Sequence, residues 1–341
     1  MELEVGIDVA LGAENERRQA VQALAARPSV ILDPLTFWIA GAYGILEHLD
    51  ATFGPLGITA SGIEMLTRCR DDRLRYVKTA MGTLGTNDAG DALVLDQSSD
   101  ERKAASLALA EHILMWATTR SVIVPALPKT DFPPTLRAIG AHMDAAMLDT
   151  LAAADGSGRF LLCEDRRFRM LAKDSVQQTG AWLQAAMIAA KNAGQMPTDA
   201  YYDSTIKMAL AGHHFITLDA GAFMYLARQT AWNPEGRFRH LSRLIGSPNV
   251  ELRSLSILGF TFLKELWSAN LASNTKKGLS QVFLDEIMNQ RPGESDSILR
   301  VFREHGMPPT KEPDGRRSWK RKAFTDFLDE NVRGRRQAAH S

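Results

Sequence analysis

The sequence predicts an α/β protein: a mostly parallel sheet flanked by helices, with an additional all-helical C-terminal region. Three observations lead there. Between residues 28 and 230, short apolar, β-branched runs alternate with helical stretches, the pattern of parallel strands joined by crossover helices. Beyond Trp232-Asn233-Pro234 the strand signals stop, and residues 235–304 keep helical periodicity alone. The chain has 341 residues, 45% hydrophobic and 23% charged, the composition of a globular protein long enough for two domains or one large domain with an appendage.

Taken in order, residues 1–27 form an N-terminal extension, of which 13–27 read as a short polar helix ended by Arg27-Pro28. Ser29–Leu32 is the first strand, stopped by Asp33-Pro34, and Pro34 opens a helix from Leu35 to Leu49 that is apolar on nearly all sides. Phe53-Gly54-Pro55 is a turn and Leu56–Thr59 a second strand. Ser61 is the expected N-cap of the helix that carries Glu64. Val77–Met81 and Ala92–Leu95, with Gly82, Gly85, Asn87 and Gly90 near or between them, suggest an inserted hairpin. The insert, at about 77–120, includes a long helix over 101–119.

Ser121–Leu127 reads as a strand, followed by a proline-marked loop and a helix from Thr135 to Ala154. Phe160–Cys163 is a compact strand stopped by Glu164-Asp165. Helices are expected at 166–173, 180–193 and 199–211, a last strand at His214–Leu218, and a helix at 220–230. The expected organisation is therefore a main α/β domain over 28–230, a helical region over 231–310 and a basic tail over 311–341.

Forty Lys and Arg balance forty Asp and Glu, which excludes a chain that is basic throughout but hides a local imbalance. Residues 311–341 carry nine Lys or Arg against five acids, an excess of four, so the body carries the opposite four. Two cysteines, Cys69 and Cys163, cannot build a disulfide framework or a cysteine zinc site, and a cytoplasmic setting is the default. The N-terminus is acidic and lacks the basic start of a signal peptide. Uncharged runs such as Pro34–Leu46 and Thr179–Ala190 fall short of the roughly 20 residues a membrane helix needs, so no membrane partner is expected.

The residues that could carry chemistry are acids at strand ends, where open α/β sheets bind ligands. Asp33 ends the first strand, and Glu164 and Asp165 end a central one. Glu64 lies on the helix after the second strand and Asp144 on the helix before the Glu164-Asp165 strand. Brought together, such carboxylates would hold Mg²⁺ or Mn²⁺, since hard cations prefer carboxylate oxygen, and a metal site of this kind can activate water for phosphodiester cleavage. Each acid has a second reading. Asp33 and Asp165 could be helix N-caps, Glu64 a solvated helix residue, and Asp149 and Asp155 are neighbours equivalent to Asp144.

The stretch Leu161-Leu162-Cys163-Glu164-Asp165-Arg166-Arg167-Phe168-Arg169-Met170-Leu171-Ala172 resembles the strand–acid–arginine–helix segment of PIN-domain proteins. Thr179-Gly180-Ala181-Trp182-Leu183 through Ala190-Lys191-Asn192-Ala193-Gly194-Gln195-Met196 is similar to that family's continuation. Val30-Ile31-Leu32-Asp33 looks like its first strand and acid, and Ile58–Leu66 like its second strand and the helix with the second acid. The resemblance spans about 28–230 and is clearest over 158–196. It implies a Rossmann-like PIN sheet and a metal-dependent endoribonuclease that hydrolyses phosphodiester bonds through carboxylate-bound Mg²⁺ or Mn²⁺. Asp33, Glu64, Asp165 and Asp144 carry over as catalytic and metal-holding residues, with Glu164 a neighbouring ligand. The family usually has Gly-Glu or Asp where this chain reads Ala141-His142-Met143-Asp144. The 77–120 insert and the residues beyond 230 depart from small PIN toxins, and the alternative is a catalytically inactive PIN-like module that binds a protein partner or nucleic acid.

RNA is the expected partner, with single-stranded DNA as the second. A homo-oligomer or a protein partner held through the helical C-terminal region is a further expectation. Arg166, Arg167 and Arg169 could contact phosphate or pair with Glu164 and its neighbours. Arg316, Arg317, Lys320, Arg321 and Lys322, interleaved with Trp319 and Phe324, suit nucleic-acid backbone contacts or an exposed amphipathic helix. Arg237, Arg239, Arg243 and Arg253 read as a solvated helix face, and His213-His214 as structural.

Overall fold

The computed structural model describes residues 7–10, 13–78, 82–86, 93–97, 99–214 and 216–294, together with Ser297, Asp326 and Phe327. The chain forms two compact units, residues 1–204 with 213–216, and residues 205–212 with 217–341.

The first unit begins with strand β1 (Ile7–Asp8) and helix α1 (Glu14–Ala25), then β2 (Val30–Leu32). The single helix expected over Leu35–Leu49 is two, α2 (Pro34–Ala42) and α3 (Leu46–Phe53). Gly44 adopts φ +70°, the left-handed region that favours glycine, and the Ile45 N–H reaches back to the Ala40 carbonyl at 2.7 Å. That is a glycine helix stop, and the uniformly apolar sequence concealed it. Next come β3 (Gly57–Ile58) and α4 (Ala60–Lys78). The cap of α4 is Thr59 rather than Ser61: Thr59 Oγ1 accepts from the Gly62 N–H at 3.1 Å.

Val77 and Lys78 continue α4 instead of starting a strand, so the inserted hairpin is displaced to β4 (Gly82–Thr86) and β5 (Leu93–Gln97), an antiparallel pair. Asn87 and Gly90 lie outside the described residues. Helix α5 (Asp100–Arg120) follows, capped by Ser99, whose Oγ accepts from the Arg102 N–H. The strand expected over Ser121–Leu127 shrinks to β6 (Val122–Ile123), because Pro125 has no N–H to extend the ladder.

The helix expected over Thr135–Ala154 is also two, α6 (Pro134–Gly140) and α7 (Ala145–Ser157), and Asp144 caps α7 instead of lying inside a helix. Then come β7 (Phe160–Leu162), α8 (Arg166–Val176), β8 (Gly180–Ala181) and α9 (Leu183–Asn192). Gly180 and Ala181, expected to open a helix, are an edge strand instead. Helix α10 (Thr198–Leu210) leads to β9 (His213–His214), shorter than the strand expected over His214–Leu218.

Five strands form one all-parallel sheet in the order β6-β3-β2-β7-β8. From β2 the chain winds outward through β3 to β6, then returns to the other side of β2 for β7 and β8. The order therefore reverses between β2 and β7, the place where ligands gather beyond the carboxyl ends of such sheets. Helix α7 feeds β7 at its amino end, so its own N-terminus lies toward the carboxyl edge. The core behind this edge contains Ile31, Leu151, Ala154, Leu161, Cys163 and Phe168. β1 and β9 form a separate parallel pair.

The second unit holds α11 (Ala220–Gln229), α12 (Arg237–Gly246), α13 (Leu252–Ser268) and α14 (Ser273–Gln290). Phe223, Phe238, Phe262 and Phe283 pack ring against ring at its centre, with centroids 4.8–6.0 Å apart. Arg239 and Arg243 both bond the buried Glu286, at 2.7 and 3.0 Å, so two residues expected on a solvated face are partners of a buried acid. An α/β PIN-like sheet followed by C-terminal helices is thus the observed fold. Residues 298–304 and 311–325 lie outside the described residues.

Candidate active site

Asp33 follows β2 and caps α2. Its Oδ1 accepts from the Thr36 N–H at 3.0 Å and its Oδ2 from the Thr36 hydroxyl at 2.5 Å. The same hydroxyl oxygen accepts from the Glu164 N–H at 2.7 Å, joining the carboxyl ends of β2 and β7. Asp33, Thr36 and Glu164 are fully buried. Burial raises the Asp33 carboxyl above the ordinary carboxylate range, against the lowering effect of the Thr36 bonds, and the Glu164 charge adds to the rise. Burial also pushes the Cys163 thiol well up, with the Asp33 charge reinforcing it.

Glu164 is spent on the protein as well. Oε1 accepts from the Leu183 N–H at 2.5 Å, capping α9, which has no side-chain cap of its own. Oε2 lies 3.3 Å from His213 Nδ1, whose ring stands edge-on to Tyr43. Burial and the Glu164 charge raise the Tyr43 hydroxyl above its ordinary value.

Glu64 and Asp144 form the outer arrangement. Both line a cavity of about 530 Å³ together with Ser61, Thr67 and Arg68 from α4 and the first turn of α7. Asp144 Oδ1 accepts from the Ala146 N–H at 2.9 Å, and its Oδ2 faces Arg68 Nη2 at 3.5 Å. The sequence spacing is legible in hindsight: Ser61, Glu64 and Arg68 fall three and four residues apart, on one helix face.

The predicted acids thus divide. Asp33 and Glu164 meet through Thr36, and Glu64 and Asp144 share a cavity. Asp165 caps α8, its Oδ1 accepting from the N–H groups of Arg167 and Phe168 at 2.7 and 3.2 Å. Among the described residues no three His, Cys, Asp or Glu side chains come together as a metal-holding group.

A fit to Mg²⁺ or Mn²⁺ therefore rests on the outer pair. Two carboxylates with two hydroxyls nearby are hard oxygen donors, and Mg²⁺ is commonly held by one or two carboxylates plus waters and substrate phosphate. Asp33 and Glu164 already accept from protein donors, Asp33 from the Thr36 N–H and hydroxyl and Glu164 from the Leu183 N–H, with His213 beside its second oxygen.

Arg169 is corrected from a phosphate contact to a clamp within the fold. Its buried guanidinium bonds the Cys163 carbonyl at 2.5 Å and the Val9 carbonyl, and lies 5.3 Å from the Trp182 ring centroid. Burial lowers its pKa from the usual arginine value. Arg167 is exposed and Arg166 half-buried at the start of α8. Arg316, Arg317, Lys320, Arg321 and Lys322 lie outside the described residues. Sequence reasoning missed Thr36, Arg68 and the His213–Glu164 contact.

Residues 31–174 match the family model described as a PIN domain associated with the TPR-GreAB-C-PIN system. No curated protein and no solved structure matches the chain significantly. The matched stretch contains four of the five parallel strands and all five acids. Over residues 31–174, the chain is similar to the PIN-domain family.

Proposed function

We propose that the chain is a divalent-cation-dependent nuclease that hydrolyses phosphodiester bonds in RNA, with Glu64 and Asp144 as the residues that hold Mg²⁺ or Mn²⁺. The observation that carries this reading is the cavity these two carboxylates share at the carboxyl edge of the PIN sheet. When bound, the ion supplies a positive charge for the phosphate and lowers the pKa of a water. The protein's own part is positional. Ser61 lines the same cavity, while the Thr67 hydroxyl is donated to the Ile63 carbonyl at 2.9 Å, and the buried Asp33–Thr36–Glu164 link fixes the ends of β2 and β7. Asp165 sets the start of α8, where Arg166 and Arg167 stand ready for the RNA backbone. We extend the same role to Arg316, Arg317, Lys320, Arg321 and Lys322.

Among the described residues no helix is long and apolar enough to cross a membrane. The compartment we propose is the cytoplasm, on the two cysteines that stand unpaired. A second reading, a non-catalytic PIN module that binds a protein or nucleic-acid partner, draws on the absence of a three-acid group among the described residues.

The test is cleavage of single-stranded RNA by the purified full chain with Mn²⁺ or Mg²⁺. Cleavage stopped by EDTA and lost in Glu64→Gln and Asp144→Asn supports the nuclease. Cleavage that survives both substitutions belongs to a contaminant or another site. No cleavage by the wild type, with either metal, favours the interaction module.

A further inference from the structure

Asp144 has two carboxylate oxygens with different tasks. Oδ1 accepts from the Ala146 N–H at 2.9 Å and so caps α7. Oδ2 lies 3.5 Å from Arg68 Nη2, and both residues line the cavity. Oδ2, which accepts no backbone bond, is the Asp144 oxygen left open to a cation, and it is the atom that Arg68 contacts. The pair is exposed, with side-chain exposures of 65% for Arg68 and 39% for Asp144, and 3.5 Å is long for a charged hydrogen bond. Such a contact is weak and readily exchanged.

The geometry points to Arg68 as a displaceable counter-ion: it neutralises Asp144 before the divalent cation arrives, then turns its guanidinium to a phosphate of the nucleic-acid backbone. This rests on the nuclease reading for the identity of the cation and of the phosphate. Three features favour exchange over a fixed bridge. Arg68 sits four residues after Glu64, one helical turn along the same face, so its head can reach either carboxylate or a ligand lying across them. A doubly charged ion outcompetes a single tethered charge for Oδ2. The released guanidinium keeps its planar fork of donors, which matches phosphate oxygens two at a time. Arg68 is thus a positioning residue that links cation binding to substrate binding.

Calorimetric titration of the full chain with MnCl₂ tests the first half. Arg68→Gln should bind Mn²⁺ about two- to fivefold more tightly than the wild type, as loss of a weak exposed competitor requires. Arg68→Lys, which keeps the charge, should stay near wild type. In the Asp144→Asn background the Arg68→Gln effect should vanish. Equal Mn²⁺ affinity in wild type and Arg68→Gln overturns the proposal.

Fluorescence anisotropy with labelled single-stranded RNA and DNA decamers tests the second half. With Ca²⁺ present the wild type should hold the decamers about tenfold more tightly than Arg68→Gln, the loss of one charge-assisted contact. With EDTA the difference should be clearly smaller, because Asp144 then competes with phosphate for Arg68. A deficit of the same size in EDTA and Ca²⁺ overturns the exchange. If Arg68→Gln tightens Mn²⁺ but the wild type cuts no RNA, the counter-ion role stands and the nuclease reading falls. If RNA is cut but Mn²⁺ affinity is unchanged in Arg68→Gln, the nuclease stands and the counter-ion role falls.

Discussion

Replacing Thr36 by Val tests whether the hydroxyl joining β2 to β7 is central to the first unit's stability. Valine has nearly the same volume, so packing is kept and the loss is confined to hydrogen bonding. Two bonds disappear at a fully buried position: the 2.5 Å bond donated to Asp33 Oδ2 and the 2.7 Å bond accepted from the Glu164 N–H. The stranded backbone N–H costs about 1–3 kcal/mol, and a hydrogen bond to a charged acceptor about 1.5–3 kcal/mol. Allowing for proton uptake by Asp33, the sum is about 3–5 kcal/mol, or about 6–20 °C in Tm for a unit of this size. Thermal unfolding of the full chain, followed by circular dichroism at pH 7.5, measures it. Thr36→Ser should stay within a few degrees of wild type, and the Thr36→Val penalty should shrink on acidification. A drop of under 3 °C for Thr36→Val, or equal losses for Ser and Val, refutes the central role of the hydroxyl.

Asp33 carries its own pH signature. Its folded-state pKa is raised by burial, so the folded state binds the proton more tightly and the group's stabilisation is present at low pH. It is lost as pH rises from the unfolded-state value near 3.9 through the raised folded-state value. Asp33→Asn should therefore gain stability relative to wild type across that window, and parallel curves in a pH series of melts would sink the assignment.

Glu286 has the opposite sign: burial pushes its pKa up, but the bonds from Arg243 and Arg239 outweigh it and leave the carboxyl below the ordinary range. Glu286→Gln should cost about 1 kcal/mol at pH 7, a difference that fades as pH falls through the depressed value; urea melts at pH 7 and pH 3 would show it. Gly156→Ala drives a methyl into the Leu127 carbonyl oxygen. Despite the helix propensity of alanine, worth about 1 kcal/mol, the overpacking should leave a net loss of about 2 kcal/mol, and a variant more stable than wild type in urea would contradict the close approach.

Much of the sheet was legible because its strands are short apolar runs closed by an acid or proline, as at Leu32-Asp33-Pro34 and Leu162-Cys163-Glu164. The errors share a cause. Leu35–Leu49 and Thr135–Ala154 look continuous because helical periodicity survives a break whose signal is a single glycine or a capping acid. Gly180-Ala181 was lost to the helix that follows, since two residues carry no alternation. At the site, strand ends exposed the acids, but their partners come from remote positions: Glu164 meets Leu183, His213 and Thr36, separations no local pattern encodes. Arg68 was within reach, one turn beyond Glu64, and was overlooked because an exposed arginine on a helix looks ordinary.

The contacts of Glu164 bear on how this domain can be isolated. The family match ends at residue 174, yet both oxygens of Glu164 are satisfied by groups beyond it, Leu183 and His213. The first compact unit is itself discontinuous, closing only when residues 213–216 return. A fragment cut at 174 would leave that carboxylate with neither partner at the end of β7, which also loses its neighbour β8, and one cut at Ser204 would still lack β9, the strand that pairs with β1. The boundary recognised by the family and the boundary at which the chain can fold are therefore different, and excision at the former should give an unfolded or aggregating fragment instead of a minimal folded domain.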